Sequence, residues 1–575
     1  MTRIFLVFLF FSSVCWGQFI EDAAPKKPTY DPFSSQVFFD HEPLPEQPGS
    51  EVILEQLEGL LLVGDIKDIS DNGIKGVRGL QVKNLVFPGT IEELRARIQP
   101  IFLHKPLTME LIRQLRMAIV QYYQDYHRGL VLVVAPEQNI IDDTLQLLVI
   151  ESRAGQVSVE GNKWFKTQTL HNHFRLEQAQ YINTEVIVQD LDWINRNPFR
   201  QADVIMRPGE VFGTTDVEFW VYDRLPWRVY AGADNTGFET TGTGRLFTGF
   251  NWGNAFGLEQ QLSFQYTTST DFGRYYSYTG SWAIPLPWRH IWSFFGGYSR
   301  VHPKMPFIGM ENTGTNSQVS TRYTMPIPRQ RTFTQEVSVG IDYKRANNNL
   351  LFGDLIIFGS TAVITQAVFE YLALQKLDNW RWALNFDLYW SPGDLFGHQS
   401  NKDYQSLRPF AQSNYVYGNY TFLPVIYLPR DWSLVLKNSV QLSNRNLLSS
   451  ETFGLGGYDT VRGYDQRDVN TDNGVLLSGQ IMTPPMPLFT YRKPEKILRD
   501  QLQFLWFFDY GLGWNNNRLP EEPHSFWLGG VGPGLRYNWG TYLTVRLDWG
   551  IKLHKLDFTK DTSFSRVDFG LLLAY

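Results

Sequence analysis

The chain has 575 residues, too many for one ordinary domain. Its 52 Lys and Arg against 58 Asp and Glu leave a net charge of −6, too mild to imply a nucleic-acid partner. Aromatic residues make up 15 %, including 18 Trp, 28 Tyr and 41 Phe, yet mean hydropathy is only −0.25. A helical membrane protein is thereby excluded, and strands with an apolar outer face and a polar inner face fit.

Residues 1–17 place Arg3 before the apolar run Ile4–Phe11 and then small residues, the pattern of a secretory signal peptide. The run is short for a membrane anchor, and no later stretch of about 18 apolar residues follows. The single cysteine, Cys15, lies in this segment, so the exported chain is expected to have no disulfide or thiol chemistry. Residues 18–55 carry six prolines between Pro25 and Pro48 among charges and read as a periplasmic linker.

Residues 56–153 read as strand, helix, helix, strand, strand. Val82–Phe87 is a strand, and Thr90 caps a helix with Glu93 three residues on. A longer helix runs from Thr108 to His127 and stops at Gly129, before strands at Leu130–Ala135 and Thr144–Ile150. The order returns in residues 154–225, with a strand at Val157–Glu160 and helices at Lys166–Arg175 and from Asn183 to near Pro198. Paired strands follow at Ala202–Arg207 and Val217–Tyr222, around the turn at Pro208-Gly209. The supersecondary repeat is about 70 to 95 residues long.

From residue 226 to 575 the period becomes two. Leu262, Phe264 and Tyr266 alternate with Ser263, Gln265 and Thr267, and Leu543, Val545, Leu547, Trp549 and Ile551 alternate with Thr544, Arg546, Asp548, Gly550 and Lys552. Ions on one side of a strand are acceptable in a water-filled lumen without a partner for each. Short connections are expected at Pro285–Trp288 and Met325–Pro328, and a long polar loop at 301–324. At roughly 20 to 24 residues per strand and connection, about 14 to 18 strands result; an even number is expected, and we take sixteen. The last strand, with Val567, Phe569, Leu571, Leu573 and Tyr575 on one face, must close the barrel so that no edge is left in lipid.

Two segments stand apart. Gly456-Gly457-Tyr458-Asp459-Thr460-Val461-Arg462-Gly463-Tyr464 sets a cation among glycines. Downstream lies Phe507-Phe508-Asp509-Tyr510-Gly511. Leu502, Phe504, Trp506 and Phe508 form the apolar face of that strand, so Asp509 points into the lumen. A guanidinium can take its carboxylate with two parallel hydrogen bonds, which lysine cannot copy.

Together these features resemble the two-partner-secretion transporters, the haemolysin secretion/activation group of the outer-membrane assembly-factor superfamily. The resemblance extends from about residue 56 to the end of the chain. It implies a transmembrane β-barrel in the outer membrane preceded by two periplasmic POTRA domains, which receive an unfolded partner exoprotein such as a haemolysin or adhesin. It implies that Val461, Arg462, Gly463 and Tyr464 form the tip of a loop folded into the lumen, where Arg462 meets Asp509 of the Phe507-x-Asp509-x-Gly511 motif. Asp234-Asn235-Thr236-Gly237 resembles the family's start of the barrel. The aromatic terminus resembles the signal read by the outer-membrane barrel assembly machinery, and outer-membrane lipid is the expected surrounding. Proline spacing in residues 18–50 leaves little room for the pore-plugging helix of some members. An assembly insertase of the same superfamily and a passive porin are the alternative functions.

Enzyme motifs are missing: the chain has no HExxH, GxSxG or P-loop, so neither catalysis nor a cofactor is expected. His171 and His173 diverge on a helix and make no metal site. In the second repeat, β-augmentation at Ala202–Arg207, beside the helix Thr184–Asn195, is the expected mode of substrate contact.

Overall fold

The computed structural model describes residues 23–28, 37–39, 51–128, 130–304, 310–352, 355–493, 496–556 and 563–575. The signal peptide, Cys15, the Gly129 helix stop and most of the segment bearing on a plug helix lie outside these residues. The chain divides into two compact units: residues 30–224, and residues 225–575 together with the N-terminal stretch up to residue 29.

The first unit holds strands β1 (Val37–Phe39), β2 (Val52–Leu57), β3 (Gly59–Val63), β4 (Gly79–Lys83), β5 (Lys105–Thr108), β6 (Val131–Val134), β7 (Thr144–Glu151), β8 (Arg153–Glu160), β9 (Arg200–Pro208) and β10 (Thr214–Asp223). Its helices are α1 (Ile91–Phe102), α2 (Met109–Asp125), α3 (Thr167–His171) and α4 (Thr184–Asn195). Thr90 caps α1 by accepting from the Glu93 N–H at 3.3 Å, and Asn183 caps α4 by accepting from Glu185 and Val186. The apolar stripe of α2, which includes Leu115, Ile119 and Tyr122, is buried against Leu60, Leu62 and Leu147.

Each repeat places its last strand in the middle of the sheet. β7 lies between β3 and β6, and β10 lies between β8 and β9, with parallel pairing to the first strand and antiparallel pairing to the second. Two expectations need correction. The strand expected at Val82–Phe87 is β4, ending at Lys83, and the helix expected over Lys166–Arg175 is the single turn α3. The segment expected to be bare linker also contains β1, paired in parallel with β9, and β2 begins at Val52.

The second unit is a closed antiparallel barrel. Its strands are β11 (Trp227–Asp234), β12 (Arg245–Ala255), β13 (Gln260–Ser269), β14 (Tyr275–Pro285), β15 (Ile291–Val301), β16 (Met310–Gln330), β17 (Phe333–Phe352), β18 (Leu355–Lys376), β19 (Trp380–Ser391), β20 (Tyr415–Tyr427) and β21 (Ser433–Ser443). After the hairpin β22 (Phe453–Leu455) and β23 (Val469–Thr471) come β24 (Asn473–Met482), β25 (Thr490–Lys493), β26 (Lys496–Trp514), β27 (Phe526–Trp539), β28 (Leu543–Lys552) and β29 (Ser565–Ala574). β25 pairs only with the start of β26, and β24 pairs directly with β26, so sixteen strands make the circuit.

Alternation sets the two faces. Ser263, Gln265 and Thr267 are buried on the lumen side of β13 while Phe264 between them faces out, 39 % exposed. Trp227 stacks on Trp252 at 4.7 Å, and Trp292 and Trp380 at the start of β15 and β19 and Trp539 at the end of β27 fall at the same end of the antiparallel barrel, an aromatic girdle. β29 pairs with β11, and Tyr575 and Val229 exchange backbone hydrogen bonds at 2.9 and 3.1 Å. Asn235 carries the seam one step further: its side chain donates to the Val567 carbonyl at 2.7 Å and accepts from the Phe569 N–H at 2.9 Å.

The connections differ from expectation in β16. Met325–Pro328 is strand, and the turn is at residues 331–332; Pro326 still faces Glu336, and Pro328 falls in a register irregularity where its missing N–H costs no ladder bond. Most of the loop expected at 301–324 is likewise strand from Met310 onward. The described stretch Ala23–Pro28 runs along the lumen wall. The Ala23 carbonyl accepts from Gln265 and Thr279 at 3.0 and 2.5 Å, and Arg228 donates to the Lys26 carbonyl at 2.8 Å.

Candidate functional site: a hairpin seated in the barrel lumen

Between β21 and β24 the chain turns inward as the hairpin β22–β23, paired through Phe453–Thr471, Gly454–Asn470 and Leu455–Val469. Phe453, Leu455, Val461 and Val469 are buried with Leu476 and Leu528 of the wall, so an apolar contact fixes the side on which the hairpin lies. Gly456, Gly457 and Gly463 all have φ near +100° (104°, 100° and 101°), a region that disfavours any side chain.

Strand alternation turns Asp509 of β26 inward, beside Ser478 of β24, its register partner. Arg462 donates from Nε to Asp509 Oδ2 at 2.7 Å and from Nη2 to Oδ1 at 2.8 Å, and its backbone N–H reaches Oδ2 at 3.1 Å. Ser478 Oγ donates to Oδ1 at 2.6 Å. The carboxylate therefore accepts four hydrogen bonds while wholly buried, and the arginine is 4 % exposed. The ring of Phe507 lies 3.6 Å below the guanidinium carbon, covering its flat face.

Backbone contact completes the seat. A Cβ on Gly530 of β27 would lie 2.1 Å from the Arg462 carbonyl oxygen, and one on Gly550 of β28 would lie 2.3 Å from the Gly463 nitrogen. A Cβ on Gly511 would press on Leu455 and Val461 at 2.8 and 2.9 Å. Tyr464 extends the tip across the wall, its hydroxyl 2.5 Å from the His554 carbonyl and 3.1 Å from that of Gly529. Val461, Arg462, Gly463, Tyr464, Phe507, Asp509 and Gly511 thus meet in one place.

Several further ions belong to this seat and were not singled out in the sequence. Arg546 of β28 reaches Asp459 of the hairpin at 2.9 Å and Asp548 at 2.7 Å; Arg536 also takes Asp548, at 2.8 Å. Arg566 of β29 binds Asp465 of the hairpin and, at 3.0 Å, Asp568. A water-filled lumen accepts such ions without a partner for each, yet Arg546 and Asp548 are both paired, as buried charge between the hairpin and the wall requires. Their alternation with outward Leu547 and Trp549 places them two apart on the inward face, where they pair with each other; the further contacts to Asp459 and Arg536 join other parts of the chain and leave no local signal.

The base of the hairpin is anchored as well. Glu451 is buried, with Lys344 of β17 at 3.3 Å and the Tyr417 hydroxyl donating at 2.7 Å. Asp472 is buried against Arg408 and accepts from the Leu447 and Asn516 N–H groups at 2.9 and 3.1 Å. Among the described residues no group of three metal-ligating side chains is present.

A closed barrel with an apolar belt, preceded by two α/β repeats and holding an ion-paired hairpin in its lumen, defines a class of outer-membrane protein transporters. A sequence profile described as "Haemolysin secretion/activation protein ShlB/FhaC/HecB" matches residues 213–537, and the chain belongs to that family. It is 23 % identical over 448 residues to the outer membrane transporter CdiB of Dickeya dadantii (strain 3937), covering 76 % of each chain. The heme/hemopexin transporter protein HuxB of Haemophilus influenzae is 23 % identical over 472 residues, 76 % of this chain and 77 % of HuxB. The solved structure of CdiB from Escherichia coli superposes with a TM-score of 0.72 at 18 % identity over 93 % of both chains, which establishes the shared fold. The protein is an outer-membrane barrel with its α/β POTRA domains in the periplasm.

Proposed function

We propose that this transporter takes an unfolded, signal-bearing partner exoprotein from the periplasm and passes it through the barrel, with Arg462 and Asp509 positioning the lumen hairpin on which passage depends. The single observation that carries the reading is the buried bidentate pair at 2.7 and 2.8 Å, at the tip of a hairpin that is also tied at its base. A passive porin has no use for such a seat, since a static constriction needs no glycine-on-glycine docking of a separate hairpin. The POTRA domains receive the exoprotein in extended form, the lumen conducts it, and folding at the surface drives export without catalysis or cofactor. The aromatic final strand is read by the outer-membrane barrel assembly machinery, and the apolar belt lies in outer-membrane lipid.

The test is co-expression with the product of a neighbouring reading frame that encodes a long signal-bearing secreted protein. The partner is expected in the medium only when this chain is present. Equal export without it, or a general loss of outer-membrane barrels on its depletion, overturns the reading, the second outcome in favour of an assembly insertase.

A further inference from the structure

The alternation that turns Arg322, Asp342 and Glu370 into the lumen, where they pair, leaves the odd-numbered positions of β16 and β17 facing outward. On β15 the outward positions are even-numbered: Ser299 is buried on the lumen side, while Trp292 and Tyr298 are exposed. The outward series of β15 is Trp292, Phe294, Gly296, Tyr298, Arg300, and that of β17 is Val337, Val339, Ile341, Tyr343, Arg345. In both, apolar residues give way to a tyrosine and then to an arginine, the order in which hydrocarbon, interface and headgroup follow one another. β11, β15 and β17 all start at the end of the barrel where the chain arrives from the periplasmic domains, so both arginines lie toward the outer surface. Arg300 is eight residues beyond the girdle residue Trp292 on one face of one strand. At the usual rise and tilt this is about 20 Å along the barrel axis, at the outer edge of an apolar belt about 25 Å tall.

β16 runs between the two arginines. Thr315 is the register partner of Arg300, and Ser317 is that of Arg345. With strands about 4.8 Å apart, the two arginine Cα atoms are about 12 Å apart, a separation that two extended side chains can close around one phosphate group. The side chains of Arg300, Thr315, Ser317 and Arg345 have no hydrogen-bond or ion-pair partner among the described residues, and Arg300 Nε is shut off from solvent as well. No carboxylate occupies an outward position of β14, β15 or β19, of residues 313–327 in β16, of 333–347 in β17 or of 359–375 in β18. Two like charges thus share a lipid-facing wall with nothing of opposite sign beside them. Each guanidinium offers a fork of donors that fits a phosphate, and the two hydroxyls between them add further donors.

We propose that Arg300 and Arg345, with Thr315 and Ser317 between them, form a binding site on the outer wall of the barrel for the phosphate of an outer-leaflet glycolipid. Its depth selects this source, since the site opens toward lipid at the level of the outer headgroups and not into the lumen. A lipid held there is tied to β15, β16 and β17 together and fixes the depth at which this side of the barrel sits in the leaflet.

The test uses the full-length barrel purified in detergent, with deep-rough lipopolysaccharide as the probe. The parent should bind it at least tenfold more tightly than an Arg300→Ala, Arg345→Ala chain that is still a heat-modifiable barrel. Equal binding by the two overturns the site. Probe stripped of its phosphates should bind the parent as weakly as intact probe binds the double variant, and undiminished binding overturns phosphate recognition. Phosphatidylglycerol and inorganic phosphate, each in tenfold excess, should not displace the probe; displacement by either overturns the outer-leaflet glycolipid as the occupant. A second measurement keeps both arginines, in case the double variant does not fold. In a Cys15→Ser chain, the probe should slow maleimide labelling of Ser317→Cys at least tenfold and leave that of Phe272→Cys, at an exposed outer turn, unchanged. No slowing at position 317, or the same slowing at both, overturns the proposal.

Discussion

Arg546 on the barrel wall meets Asp459 of the lumen hairpin at 2.9 Å, a second tie beside the Arg462–Asp509 pair. The two ties are not equivalent. Asp459 keeps 65 % of its side chain exposed, whereas Asp509 has none. Solvent screens the first, and only the second leaves an uncompensated buried charge when its partner is removed.

Arg462→Ala should leave Asp509 buried without its guanidinium and cost the seated hairpin about 3 to 5 kcal/mol. The sixteen-strand circuit does not run through Arg462, so a heat-modifiable barrel should still accumulate in the membrane while export of the partner falls at least tenfold. Arg462→Lys should rescue poorly, because an ammonium cannot take both oxygens in the fork geometry. Unchanged export at normal barrel abundance counts against the latch.

Asp459→Asn should matter far less, with an expected cost of about 0 to 1 kcal/mol for an exposed pair. Export measured beside Asp509→Asn should stay within twofold of the parent. A loss as large as that of Asp509→Asn would move the latch to the Arg546 side of the hairpin.

Gly530→Ala tests the backbone seat without touching a charge. Its Cβ would arrive 2.1 Å from the Arg462 carbonyl, so the hairpin tip must shift, at a cost of about 1 to 3 kcal/mol. Maleimide labelling of a Thr460→Cys probe, introduced with Cys15→Ser, should speed up. Gly296→Ala, whose Cβ meets nothing closer than 3.9 Å, should leave labelling unchanged.

Asn235→Ala removes two hydrogen bonds across the seam between β11 and β29. Each is worth about 0.5 to 1.5 kcal/mol, so the barrel should unfold in detergent at a measurably lower temperature in a gel-shift series. Export by the chains that remain folded should persist, since Arg566, which ties the hairpin at Asp465, bonds the backbone carbonyl of residue 235 and keeps that bond in the variant.

The inward orientation of Asp509 was legible because a period of two sets it opposite Phe508, whatever the hairpin does; that Arg462 is its partner came from the family resemblance and not from any spacing. Strand number was legible from chain length for the same reason, a constant cost in residues per crossing. The ties of Asp459 and Asp465 to Arg546 and Arg566 were not, because they join positions 87 and 101 residues apart through a loop whose path no local pattern encodes. Pro326 and Pro328 signalled a turn but lie at the end of β16, where a missing donor is tolerated. β1 escaped notice because a strand of three residues carries no periodicity to read, and it is defined by its pairing with β9.

The central claim is that Arg462 and Asp509 act on export as one unit. A double-mutant cycle of Arg462→Ala, Asp509→Ala and the double replacement, read as partner exported per folded barrel, tests it most directly. The account predicts that the double replacement is no worse than the more damaging single one, because removing both charges leaves neither buried alone. Losses that multiply, as for two independent sites, would contradict it.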